Sequence, residues 1–188
     1  ILESESKAAT DKLVISVLAG RTLESLKNVF PTARNIVRVM PNTPSQIGKG
    51  VSAYCFDQPP ADEDLNEVVS ILSALGSSHA VEESQMHIVT AVSGCGPAVF
   101  FRFVDLIAKA ASKRGLDYTL ATQLAFETGL GSLELMQNSG KRPSDLVDEV
   151  VSPNGVTHAL LTSLDSDEWP QMIERSIQAA VDRSEELS

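Results

Sequence analysis

The sequence predicts an α/β chain: part of a doubly wound parallel sheet, followed by an all-helical dimerisation domain. Three observations carry this. Up to about residue 82 short apolar runs alternate with helical segments, as in βαβ units, and beyond it only helical periodicity continues. The third is the helical segment from Pro97 to Lys113, whose polar side chains Arg102, Asp105, Lys109, Ser112 and Lys113 recur three or four apart in one narrow stripe. A surface helix shows a wider polar face, so this one is expected to be buried on two sides, within its own domain and against a second copy of the chain. The expected domains are residues 1–82 and 83–188.

Taken in order, Ile1 to Asp11 reads as the tail of a helix. Leu13 to Leu18 is an almost continuously apolar run ending at Ala19-Gly20, as expected of a buried parallel strand. Thr22 to Val29 reads as a short helix and Asn35 to Met40 as the next strand. Pro41-Asn42-Thr43-Pro44 then fits neither a helix interior nor a central strand, so a rigid loop is expected at the strand end. Val51 to Phe56 reads as a strand, Ala61 to Leu75 as a helix with Gly76 at its C′ position, and Ser78 to Val81 as a last short strand. In such sheets ligands bind at the carboxyl ends of the strands, where Ala19-Gly20 and Pro41 to Pro44 lie.

Helical segments follow at about Ser84 to Val92, Pro97 to Lys113, Tyr118 to Gln137, Pro143 to Val150, Val156 to Leu164 and Glu168 to Leu187. Asp117 is placed to cap the helix after the Gly115 stop. Gly129 and Gly131 cost a helix interior about 1 kcal/mol each against alanine, which suggests a second backbone packed close beside them. The run Ser93-Gly94-Cys95-Gly96-Pro97 is the most informative stretch. Two glycines allow tight backbone, and Pro97 suits a first helical position, so a glycine-lined helix start is expected. Free N–H groups at such a start, with the helix dipole behind them, favour an anion such as a carboxylate.

With 188 residues, 43% of them hydrophobic, the chain can build a proper core. A net charge of −10 without a basic cluster argues against nucleic acid or an anionic membrane as partner. Cys55 and Cys95 form no CxxC pair, and the first residues resemble neither a signal peptide nor a membrane span, so a cytoplasmic, reduced protein is expected. His79, His87 and His158 share no metal-ligand spacing with one another or with the cysteines, and no metal site is expected. Arg102 is expected in a salt bridge or at a rim, His87 on a helix face and His158 at an interface.

Several motifs, in order and spacing, resemble those of the pyrroline-5-carboxylate reductases. They are Val14 to Gly20; Arg38-Val39-Met40-Pro41-Asn42-Thr43-Pro44 with Gly48 and Gly50; Val89 to Ala98; Lys113-Arg114-Gly115-Leu116; and Asp148 to Thr157. The resemblance implies a partial Rossmann-type parallel sheet, a helical domain forming an interlocked homodimer or higher homo-oligomer, and reduction of Δ1-pyrroline-5-carboxylate to L-proline with NADPH or NADH, the last step of proline biosynthesis. It implies that Ala19, Gly20, Pro41, Asn42 and Thr43 border the cofactor. Ser93, Gly94, Cys95, Gly96 and Pro97 would hold the substrate carboxylate, with Ser152, Gly155, Val156 and Thr157 closing the site from the partner subunit. Glu83 falls where the family often has an acid near the substrate nitrogen, and is the candidate catalytic residue.

The sequence departs from the family pattern in three places. The family begins with a strand and a glycine-rich dinucleotide fingerprint, and nothing before Leu13 supplies one, so the chain reads as lacking the first half of the nucleotide domain. Cys95 stands where the family usually has serine, and a thiol is the weaker donor. Asn154 and Val156 replace a glycine and a small or hydroxylated residue in the Ser152 to Thr157 loop; asparagine tolerates the positive φ such a turn needs, but valine cannot donate a hydrogen bond. Two alternatives therefore stay open: a paralogue that reduces another cyclic imine, and a non-catalytic dimerisation fragment.

Overall fold

The structure, a computed structural model, describes residues 3–188, with side chains from residue 6 onward. It divides into two compact units, one holding the residues up to Pro97 together with Arg175–Ser188, the other holding Ala98–Glu174. The expected first helix is seen as α1, Glu3–Ala8. Residues 1 and 2 of that expectation lie outside the described residues.

The first unit is built on four strands, β1 (Leu13–Ser16), β2 (Asn35–Met40), β3 (Gly50–Phe56) and β4 (Gly76–Ala80), hydrogen-bonded in that order. β1 and β2 are parallel, with Ser16 opposite Arg38, and β3 and β4 are parallel, with Gly50 opposite Gly76. The Rossmann-type sheet is thus present, but one pair differs from the expected parallel arrangement. β3 runs antiparallel to β2, with Val39 opposite Tyr54. Length explains it: a parallel return needs a crossover of about a dozen residues or more, and the connection 41–49 is too short for one.

Helices cover both faces of this sheet, which is why β1 and β2 read as nearly continuous apolar runs, while the edge strand β4, Gly-Ser-Ser-His-Ala, does not. On one face Ile36, Ala53 and Cys55 pack with Leu23 and Leu26 of α2 (Leu23–Val29) and with Met86. On the other, Val37, Val39 and Tyr54 pack with Val68 and Leu72 of α3 (Asp62–Ser73). Thr22 caps α2, its hydroxyl accepting the Ser25 N–H at 3.1 Å. Gly76 was expected at the C′ position of α3 but lies one residue beyond it, since α3 ends at Ser73 with Ala74 as its C-cap, and it has φ +136°. Its requirement comes from the sheet: a Cβ there would collide with the backbone of Gly50.

After β4 the chain turns helical through the 3-10 turn Glu83–Gln85, α4 (Met86–Val89) and the π turn Thr90–Gly94, and enters α5 (Gly96–Ser112). The second unit continues with α6 (Tyr118–Ser139), α7 (Pro143–Val150) and α8 (Val156–Ser166), and α9 (Trp169–Glu186) returns to the first unit from Arg175 onward. Asp117 caps α6 by accepting the Leu120 N–H at 2.9 Å, as its residue type predicts. Within this unit Phe103 stacks on Trp169 at 6.0 Å between ring centres.

Asp105 ties α5 to α6. Its carboxylate accepts from Lys109 Nζ at 2.8 Å, from the Tyr118 hydroxyl at 3.0 Å and from Arg102 Nη1 at 3.4 Å, the last giving Arg102 its expected salt bridge. These hydrogen bonds, Lys109 first, hold the Asp105 carboxyl below its ordinary value of 3.8. A carboxyl depressed on folding stabilises the fold above its unfolded value, and that contribution disappears as pH falls through the folded one. Asp105→Asn is therefore expected to melt below the wild type at neutral pH, with the difference closing below about pH 4. Thermal melts followed by circular dichroism across pH check this.

The described residues of the second unit leave an unusual amount of apolar surface uncovered. Only Ala108 and Ala121 are fully buried hydrophobics there, while Phe100, Phe101 and Phe103 on α5 and Leu124, Phe126 and Leu130 on α6 are exposed. Among the described residues nothing lies within 4 Å of a Cβ placed on Gly129 or Gly131. The helical run Glu83–Ser112 is, by length and composition only, long and apolar enough to cross a membrane. A helix buried between two subunits has the same composition.

Candidate active site

Because β1 and β2 are parallel, the loops that follow them leave the sheet at the same end, where such folds bind ligands. Ala19 is exposed there and Gly20 is buried with φ +70°. A Cβ on Gly20 would stand 2.6 Å from the Leu187 backbone oxygen, so the α9 end covers this glycine. Pro41 and Asn42 lead from β2 into the 3-10 turn Thr43–Ile47, which ends at Gly48 with φ +67°. The expected rigid loop is therefore a short helical turn stopped by a left-handed glycine.

The Ser93 to Pro97 stretch adds a feature to the expected helix start. α5 does open at Gly96 with Pro97 in its first turn, but a π turn leads up to it and the Cys95 N–H is already engaged. Cys95 takes helical φ −82° and ψ −19°, and its N–H donates to the Thr90 carbonyl at 2.9 Å. That bond spans five residues instead of four, and Cys95 forms a bend between the π turn and α5. The end of β2 meets this turn in two places. The Met40 side chain lies where a Cβ on Gly94 would stand 2.6 Å from its Cε. Asn42 Nδ2 donates to the Ser93 carbonyl at 3.2 Å and lies 3.5 Å from the Ser93 hydroxyl, while Asn42 Oδ1 accepts the Val51 N–H at 2.9 Å. Of the predicted site residues, the structure thus joins Asn42 and Ser93 directly and sets Gly94 against the same strand end. Cys95 is exposed and Gly96 buried.

Glu83 is held by protein groups. Its Oε1 accepts the Leu23 N–H at the start of α2 at 2.6 Å and pairs with Arg38 Nη1 at 3.3 Å. The Arg38 side chain is 3% exposed, against 36% for Glu83. Arg38 is the residue that sequence reasoning left out. Its signal was available: one cation inside the apolar strand Ile36-Val37-Arg38-Val39 needs a buried counter-charge. Cys55 is buried nearby; desolvation first, then Glu83, push its thiol up to about 11, so it is an inert core residue.

Ser152, Gly155, Val156 and Thr157 lie in the second unit. The Gly155 N–H donates to the Ser152 carbonyl at 2.9 Å across a turn in which Asn154 takes φ +60°. Asparagine therefore keeps the left-handed backbone that glycine would supply. Gly155 precedes α8 as its N-cap, and Val156, 88% exposed, opens the helix. His87 Nδ1 lies 2.9 Å from the Ser184 hydroxyl, and His158 is exposed. Among the described residues no three His, Cys, Asp or Glu side chains come together as a metal site.

Residues 83–187 match a family model described as pyrroline-5-carboxylate reductase dimerisation. The chain is 36% identical over 177 residues to pyrroline-5-carboxylate reductase 2 of Bacillus subtilis, covering 94% of this chain and 64% of that protein. It is 35% identical over 187 residues to the pyrroline-5-carboxylate reductase of Synechocystis, covering all of this chain and 70% of the relative. A crystal structure of Plasmodium falciparum pyrroline carboxylate reductase with NADP bound superposes with a TM-score of 0.91 at 32% identity, over 98% of this chain and 74% of that one. The chain thus spans a little under two thirds of the length of the Bacillus relative. Similarity of this extent, over both the sheet and the helices, makes the chain a member of the pyrroline-5-carboxylate reductase family.

Proposed function

We propose that the protein reduces Δ1-pyrroline-5-carboxylate to L-proline with NAD(P)H, as a homodimer joined through its helical unit. The observation that carries this reading is the likeness to reductases along the whole chain, at 35% identity to the Synechocystis enzyme. The carboxyl ends of β1 and β2, with Ala19 and Thr43 exposed, fit the nicotinamide end of such a cofactor. When bound, NAD(P)H supplies the hydride.

The residues of this chain have placement as their task. A protonated cyclic imine is already electrophilic at its C=N carbon, so no strong protein acid is needed, and orientation of the two reactants accounts for several kcal/mol of barrier. This suits a site in which Glu83 is engaged by Arg38 and Leu23. The Ser93 to Pro97 turn receives the substrate carboxylate through the Ser93 hydroxyl and local backbone. Ser152 to Thr157 close the site from the partner subunit.

The uncovered apolar faces of α5 and α6 support a second copy as partner. A lipid environment suits them less, because the Arg102–Asp105–Lys109 cluster lies on the same helix. Comparing kcat/KM for five- and six-membered cyclic imino acids tests the substrate, using the protein at its native length. A preference for the five-membered ring is expected. A preference for the larger ring, prompted by the changed Asn154 and Val156, would make the protein a paralogue for another imine.

A further inference from the structure

Resting on the reductase reading, we propose that Asn42 is a positioning residue for the substrate stretch: its side-chain amide holds the π turn Thr90–Gly94 in register and fixes Ser93 as a hydrogen-bond donor. The argument begins with Pro97. In an α-helix the carbonyl of residue 93 accepts from the N–H of residue 97, and proline has none. Asn42 Nδ2 reaches that carbonyl from outside the helix at 3.2 Å.

The orientation of the amide is set at its other end. The Val51 N–H can only donate, so the Asn42 oxygen must face it, at 2.9 Å, and the NH₂ group must face Ser93. That group also lies 3.5 Å from the Ser93 oxygen. An oxygen approached by a donor turns its own proton elsewhere, which leaves the Ser93 hydroxyl free to donate to a carboxylate. Asn42 thus links the strand end beside the expected nicotinamide position to the turn expected to hold the substrate. Met40 against Gly94 makes the second contact of the same kind.

Two substitutions separate this role from a direct cofactor contact. Asn42→Asp keeps the size and the acceptor for Val51 but replaces the donor with a carboxylate oxygen facing a carbonyl. The expected result is a rise of about tenfold in KM for pyrroline-5-carboxylate, with KM for NAD(P)H within about twofold of wild type. The substrate KM should recover at low pH, where the protonated carboxyl donates again. Pro97→Ala restores a backbone N–H for the Ser93 carbonyl, so the Asn42→Asp penalty should shrink in that background.

Amide hydrogen exchange provides a readout that needs no catalysis. In Asn42→Asp the Cys95 amide should exchange about tenfold faster while the Val51 amide stays protected. In Asn42→Ala both should exchange faster. Unchanged Cys95 exchange in both variants, or a KM increase confined to NAD(P)H, overturns the proposal. Accelerated Cys95 exchange in a protein whose wild type reduces no cyclic imine would instead overturn the reductase reading and leave the contact between Asn42 and the turn standing.

Discussion

Replacing Glu83 by alanine is expected to destabilise the first unit by about 3 kcal/mol. The cost has two sources. Arg38 is 3% exposed and Glu83 is its counter-charge, so removing the carboxylate leaves a buried guanidinium uncompensated. Breaking a buried pair in this way costs about 3–5 kcal/mol, less here because Glu83 itself is partly open to water. The second source is the Leu23 N–H at the start of α2, which loses an acceptor at 2.6 Å. If the charge on Arg38 is what makes the change costly, removing it should restore much of the loss. Arg38→Met combined with Glu83→Ala is expected to be more stable than Glu83→Ala alone, since apolar side chains often replace a buried pair at little cost. Urea unfolding followed by circular dichroism measures both variants.

The second large effect concerns the proposed homodimer. Phe101→Glu on α5 is expected to weaken self-association by about a thousandfold or more. Phe101 is 68% exposed in the single chain and lies among Val99, Phe100, Phe103, Leu106 and Ile107, all of them open. Covering a phenylalanine contributes about 1.5–3 kcal/mol, the change occurs in both copies, and each glutamate must also be desolvated. Sedimentation velocity over a concentration series reads the effect. Because the second unit fully buries only Ala108 and Ala121 among its described hydrophobics, loss of the partner should also reduce its helical content. A surface substitution with no partner behind it would leave both quantities unchanged.

Elements whose signals are local could be read directly from the sequence. The strand at 35–40 and the helix at 143–150 were legible to the residue, because an apolar run and the helix-opening Pro143 act within a few positions. The direction of β3 was not, since it depends on the length of the connection 41–49 and on nothing in the strand. Ser93 to Pro97 was singled out by its glycines and proline, and the helix start at Gly96 was legible there, but the π turn before it was not. The Asn42 bond to that turn comes from 51 residues away in the chain. The same distance effect hid the pairing of Glu83 with Arg38, 45 residues apart. Gly129 and Gly131 show the reverse case: the sequence points to a close neighbour, and among the described residues none lies within 4 Å of a Cβ placed there.

The most direct test of the reductase reading is product analysis. The protein at its native length would be incubated with pyrroline-5-carboxylate and either NADPH or NADH, and L-proline quantified against the cofactor consumed. The account predicts L-proline in proportion to oxidised cofactor, and loss of that turnover together with the dimer in Phe101→Glu. An intact dimer that consumes neither cofactor and forms no proline would contradict it.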